Sequence, residues 1–248
     1  MTVETEQDLQ ALKEIGRVCA LAVQAMGEAI QPGITTRELD QIGARVLADH
    51  RAQSAPILTY DYPGATCISI NEEAAHGIPG DRVIVEGDLA NVDVSAELDG
   101  YFADHAWTYP VGTVSAEAKR LCEVTEATMW KAISAARAGR PVNTIGRTVE
   151  ANARRAGYSV IVDLPGHGVG RSLHEPPTVL NFYQPRLTDQ LTDGMVITIE
   201  PFLSVGRSQH IEELDDGWTL VTTDRALCAQ YEHTLVVTKK RPLIITAL

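Results

Sequence analysis

The chain has 248 residues, 44% hydrophobic and 22% charged, which is enough apolar material for one large buried core. Its formal charge of −12 is the wrong sign for a protein that neutralises phosphates, which excludes the nucleic-acid binders. No apolar run reaches the length of a membrane span, and Glu4, Glu6 and Asp8 carry the wrong sign for a secretion signal.

In chain order, Leu9, Leu12, Cys19, Ala22, Met26 and Ile30 recur at three- and four-residue steps and predict an amphipathic helix ending near Pro32-Gly33. Thr35 followed by Glu38 is a capping-box pattern, so a second helix runs through Leu39, Ile42 and Val46. Strand patterns follow at Thr66 to Ile70, Leu89 to Leu98 and Tyr101 to Val111. Ser115 and Asn143 are expected to cap a third and a fourth helix, the latter ending at Gly157. Strands complete the chain, clearest at Met195 to Val205 and Tyr231 to Thr238. Two helices then strands, followed by two helices then strands, predicts an α+β domain spanning residues 1–248 with two pseudo-symmetric halves around a shared cleft. Cys19, Cys67, Cys122 and Cys228 form no CxxC pair, the pattern of reduced thiols in a cytoplasmic protein.

From Ala90 to Leu98 every even position is apolar, while Asn91, Asp93, Ser95 and Glu97 are polar, so this strand has one apolar face. Asp99-Gly100 is a two-residue hairpin signal. If Leu98 pairs with Tyr101, Ser95 lies opposite Asp104, and Asp93 and Asp104 become diagonal neighbours on one face, roughly 7–8 Å apart. Such a face is either solvated or gathers oxygen ligands for cations. His105, next in the strand, turns the other way, toward Tyr101, Ala103 and Trp107.

His167 stands among glycines in Gly166-His167-Gly168-Val169-Gly170, a turn sequence that leaves its ring approachable. Glu200 and Glu232 occur in Val/Ile-rich strand sequence, where an ionised carboxylate is costly unless it is paired or bound to metal. One imidazole, several carboxylates and no thiolate form a donor set for Mn²⁺, Fe²⁺ or Co²⁺ that also accepts Zn²⁺. His76 and His174 lie in loops, within reach of hydrogen-bonding a peptide carbonyl or a tetrahedral oxyanion if a metal pair is near.

The ordered set Cys67-Ile68-Ser69-Ile70-Asn71, His76-Gly77-Ile78-Pro79, Asn91-Val92-Asp93-Val94, Asp104, Gly166 to Gly170, His174-Glu175, Thr198 to Pro201 and Ala229 to Thr234 resembles the methionine aminopeptidases over nearly the whole chain. The spacing from His174 to Glu200 leaves no room for a long helical insertion, so the resemblance is to the short bacterial kind. It implies the pita-bread fold, with a curved antiparallel sheet flanked by helices. It also implies two divalent metal ions (Co, Mn, Fe or Zn) held by Asp93, Asp104, His167, Glu200 and Glu232, with Asp104 and Glu232 bridging. Further implications are catalytic His76, His174 and Glu200, and hydrolytic removal of the initiator methionine from chains with a small second residue. The implied partners are nascent N-termini at the ribosome, met by a cytoplasmic monomer. Tyr62, Cys67, Leu173, Phe202 and Trp218 are candidates for the substrate wall, and His76 for peptide positioning. Four positions depart from the family pattern. His105-Ala106 stands where threonine and serine are common, Tyr60 where histidine is, Leu173 where phenylalanine is, and Phe202 where methionine is. If Leu173 and Phe202 share a wall, their volume changes compensate and their effects are coupled.

Overall fold

The computed structural model describes residues 1–248. Helix α1 (Glu6–Ala29) is opened by a capping box, Thr5 with Asp8, and α2 (Thr36–Asp49) by the expected pair Thr35 and Glu38. A six-residue helix, α3 (Ala55–Tyr60), is too short to show a helical period in the sequence. Ser54 accepts from Ile57 N–H at its start, and Asp61 ends it in the left-handed region. Helix α4 (Ala116–Ala135) is capped by Ser115. Asn143 is not the cap of α5 (Asn143–Ala156); Val142 takes that position without a side-chain bond, and Asn143 donates to the Gln184 carbonyl instead. Gly157, with φ 88°, closes α5 where expected.

The central feature is the hairpin Leu89–Leu98 with Tyr101–Pro110, whose register pairs Leu98 with Tyr101 and Ser95 with Asp104, as the alternation predicts. Asp99 and Gly100 both have positive φ (51° and 81°), which suits a type I′ turn. Cys67–Ile70 and Gln53–Ser54 pair with the other edge of Leu89–Leu98. Of the two readings open for the polar face, the solvated one fails: Asn91, Ser95, Glu97 and Asp104 are all buried.

In the second half the expected single strands are broken. Met195 to Val205 becomes Val196–Ile199 and Phe202–Ser204, and Tyr231 to Thr238 contracts to His233–Val236. Glu200 and Glu232 therefore sit just outside strand ends, where the chain changes direction. Val196–Ile199 lies between Gly166–Gly168 and His233–Val236 in a five-stranded sheet completed by Glu175–Val179 and Leu243–Ile244. Phe202–Ser204 pairs with Cys228–Gln230 and Ser159–Val160.

Helices α1 and α2 pack with the first-half strands around Leu12, Ile15, Met26, Ile68, Val92 and Val94. Helices α4 and α5 pack with the second-half strands around Leu121, Met129, Ile145, Ile197, Ile199 and Leu235. Trp107 packs against both clusters and forms a bridge with Tyr231, which joins the halves. Antiparallel sheets flanked by paired helices in two like halves make up the pita-bread architecture. No helix is long and apolar enough to cross a membrane. All four cysteines are free and buried.

Candidate functional site

The hairpin delivers Asp93 and Asp104 to the seam between the halves. Ser95 Oγ donates to Asp104 Oδ1 at 2.9 Å. Thr234, from the second half, fixes the Asp104 backbone: Asp104 N–H donates to Thr234 Oγ1 at 3.0 Å, and that hydroxyl donates to the Asp104 carbonyl at 2.8 Å. Asp93, two residues before Ser95 on the same face, pairs in register with Cys67 on one side and Ala106 on the other.

Across the seam, His167 lies mid-strand in Gly166–Gly168, and its N–H donates to Thr198 Oγ1 at 3.0 Å. Its Nδ1 lies 2.9 Å from the Gly168 carbonyl, which can only accept, so the ring proton sits on Nδ1. The Nε2 lone pair then points at Glu200 Oε1 (3.4 Å) and Asp104 Oδ2 (3.8 Å). The Gly168 strand position is needed for close approach, since a Cβ there would lie 2.3 Å from the Pro176 carbonyl oxygen. Glu200 Oε1 accepts from Thr198 Oγ1 at 2.8 Å, and Gln230 Nε2 donates to Glu200 Oε2 at 3.2 Å and Glu232 Oε2 at 3.4 Å. Donor atoms of Asp104, His167 and Glu232 all lie within 4.8 Å of one another.

This arrangement lacks positive charge of its own. Burial, with the Asp104 charge second, pushes Glu200 up to about 8. Burial and then the neighbouring carboxylates hold Asp93 and Glu232 well above the carboxylate range, and burial raises Asp104. Burial also depresses His167 to about 4, so the ring is neutral and free to act as a lone-pair donor. Glu232 Oε1 is buried with no hydrogen-bond partner. An orphaned carboxylate oxygen, a neutral imidazole lone pair facing carboxylates, and mutual repulsion among four acids are each relieved by divalent cations. The residues present fit such a group.

Above these donors opens a cavity of about 710 Å³. Its lining includes Asp93, Asp104, His167 and Glu200, together with Tyr60, Tyr62, Cys67, His76, Leu173, His174, Phe202 and Trp218, while Glu232 lies beneath the floor. Tyr62 and Trp218 meet edge to face with ring centroids 5.1 Å apart, and Tyr62 O–H donates to the Gly77 carbonyl at 2.7 Å, tying down the turn that carries His76. His76 follows the strand Glu73–Ala75 with φ 57°, a left-handed conformation that swings its ring into the cavity. The His174 ring lies 4.2 Å from that of His167, centroid to centroid, and burial lowers its pKa to about 4. Leu173 and Phe202 both line the cavity, Leu173 packing with the first-half core and Phe202 with a small cluster that includes Ile161 and Cys228. His105 does turn away, stacking on His233 at 4.6 Å beside Trp107, with Nδ1 donating to the Glu232 carbonyl.

Residues 10–239 match metallopeptidase family M24. The chain belongs to that family. Over 250 residues this M24 chain is 44% identical to methionine aminopeptidase 2 of Bacillus subtilis, with both chains covered completely. It is 46% identical over 250 residues to a methionine aminopeptidase of Staphylococcus epidermidis, covering 100% of this chain and 99% of the relative. Among solved structures, a methionine aminopeptidase of Thermotoga maritima superposes with a TM-score of 0.96 at 34% identity, each chain covered in full. Membership of M24 brings with it divalent-metal-dependent peptidase chemistry.

Sequence reasoning passed over several residues that organise this M24 site. Gln230, two residues before Glu232, is the one side chain that donates to two of the acidic donors, and Thr198 links His167 to Glu200. Both alternate with a glutamate at a spacing of two, which in a strand places them on the same face; that was the available signal. The partner of Tyr60, His174, is 114 residues away and left no local signature.

Proposed function

We propose that this chain, acting as one catalytic domain over residues 1–248, hydrolyses the first peptide bond of polypeptides that begin with methionine followed by a small residue. The observation that carries the reading is the convergence of Asp93, Asp104, His167 and Glu200 in the cavity lining with the buried Glu232 beside Asp104 and His167, its Oε1 left unpartnered. These five residues would hold two divalent ions from among Co, Mn, Fe and Zn. Bound there, the pair would polarise the scissile carbonyl, acidify the attacking water and receive the substrate's free α-amino group.

The chain's own residues do the rest. Glu200, beside the donor atoms with its Oε1 3.4 Å from His167 Nε2, would be held ionised by bound cations and so placed to take a proton from the attacking water and deliver it to the departing amine nitrogen. His174 stabilises the oxyanion of the tetrahedral intermediate, and His76 orients the peptide. Tyr62, Cys67, Leu173, Phe202 and Trp218 enclose the methionine side chain, and burial of those walls keeps bulk water from the reacting carbonyl. The net charge of −12 disfavours nucleic-acid contacts, and on this reading nascent chains at the ribosome are met through their own N-termini by a cytoplasmic monomer.

A panel of peptides assayed with protein reconstituted in turn with each metal tests this. Met-Ala-Ser is expected to be cleaved efficiently and Met-Lys-Ser poorly. Equal rates on those two, or preferential cleavage of Ala-Pro peptides, would overturn the substrate assignment.

A further inference from the structure

Tyr60 is the last residue of α3, a helix tied at both ends. Ser54 Oγ accepts from Ile57 N–H and donates to the Ala65 carbonyl at 2.8 Å, and Asp61 N–H donates to the Ile57 carbonyl at 3.1 Å. From this fixed position the phenol reaches across the cavity mouth to the second half, where Tyr60 Oη lies 2.6 Å from His174 Nδ1. The two rings are tilted 46° with centroids 5.7 Å apart, so the contact is a hydrogen bond and not a stack. No other protein group bonds to the His174 ring, and His167 crowds its other side at 4.2 Å between centroids. Both Tyr60 and His174 line the cavity.

We propose that Tyr60 is a positioning residue for His174: its O–H donates to Nδ1, holds the neutral imidazole in the Nε2–H tautomer and reserves that N–H for the substrate. A neutral imidazole carries one proton, and the nitrogen that keeps it is set by the bond made at the other. With Nδ1 accepting, the ring is a donor at Nε2, which is what an oxyanion needs. With Nδ1 protonated, Nε2 would present a lone pair to the developing negative charge and repel it. Partial burial raises the Tyr60 phenol above its ordinary value, which keeps it a donor at working pH. The inference rests on the oxyanion role given to His174 under the proposed function, and it adds the group that makes His174 competent for that role.

Tyr60→Phe deletes one hydroxyl and keeps the ring as wall. With Met-Ala-Ser, kcat is expected to fall about 10-fold while KM stays within about 2-fold, the effect of losing one transition-state hydrogen bond. A change in KM with kcat unaltered would make Tyr60 wall alone and overturn the proposal. In the His174→Ala background the Tyr60→Phe change is expected to cost nothing further, and an undiminished 10-fold loss there would also overturn it. If His174→Ala itself retains full activity, the oxyanion reading fails. If His174→Ala is crippled but Tyr60→Phe is silent, only the present inference fails. Two-bond ¹⁵N–¹H spectra of the metal-free protein give an independent readout. His174 is expected as the Nε2–H tautomer in the parent and as a mixture, or the Nδ1–H form, in Tyr60→Phe. An Nδ1–H parent, or identical spectra, would overturn the proposal.

Discussion

The two halves share an architecture but contribute to the seam in different ways. In the first, Asp93 and Asp104 sit on one hairpin of ten-residue strands with unbroken register, so their relation to each other follows from backbone pairing, to which Ser95 and Thr234 add bonds at Asp104 only. In the second, His167, Glu200 and Glu232 come from three separate pieces of chain, two of them at strand ends, and side chains hold them together: Thr198 links His167 to Glu200, and Gln230 links Glu200 to Glu232. A regular ladder needs no outside support to place its side chains. Residues at strand ends lack that constraint and depend on hydrogen-bonded neighbours. The first half should therefore be sensitive to loss of donor charge itself, and the second also to loss of its supporting side chains.

The largest expected effect breaks the first half. Asp104 is the carboxylate whose charge acts on both Glu200 and Glu232, so Asp104→Asn removes the shared negative charge while keeping shape. Turnover is expected to fall by roughly 10³-fold or more with the fold intact by circular dichroism. Near-normal activity at saturating metal would show that the hairpin does not hold the metals.

Next in size is a test of the second half's supports. Thr198→Val keeps volume but removes the donor to Glu200 and the acceptor for His167 N–H. Metal affinity by titration calorimetry is expected to drop roughly 10- to 100-fold. Affinity unchanged within 2-fold would mean that the strand ends are placed by backbone alone, as in the hairpin, and the contrast would collapse.

A pH experiment sharpens the same contrast through stability. Glu200, raised from 4.5 in the unfolded chain to about 8, stays protonated in the folded metal-free protein at pH values where the unfolded chain has lost that proton. The folded state then binds more protons, so stability falls as pH rises toward 8. The histidines His105, His167, His174 and His233, depressed by desolvation to about 3 to 4, act oppositely, but only below the unfolded value of 6.5. Between pH 6.5 and 8 the acids dominate, and the metal-free protein is expected to lose on the order of 2 kcal/mol, read as a falling Tm. Saturating divalent metal should abolish the decline. A metal-free Tm that rises across this window would contradict the charge-repulsion account of the floor.

The smallest effect concerns the walls. Leu173 packs with the first-half core and Phe202 with a small cluster around Ile161 and Cys228, so Leu173→Phe and Phe202→Met should change kcat/KM independently. A double-mutant cycle on Met-Ala-Ser is expected to be additive within about 0.5 kcal/mol. Strong coupling would mean that the methionine side chain enclosed by both walls transmits one change to the other, and that separate packing does not make them independent.

The sequence alone determined whatever a period or a short signature encodes. Capping at Thr35 and Ser115, the Asp99-Gly100 turn, the Ser95–Asp104 register and the outward turn of His105 all follow from spacing, because a hairpin converts sequence offset directly into position. It also displayed the donor residues in family order. The tertiary structure decided what has no local signal: the breaks that put Glu200 and Glu232 at strand ends, the six-residue α3, the backbone cap of α5 and the burial of the hairpin's polar face. It also decided which walls Leu173 and Phe202 occupy and that Tyr60 meets His174. Those outcomes depend on how two halves close on one another, and contacts between residues a hundred positions apart are set by the packing of whole sheets and helices, which no window of sequence contains.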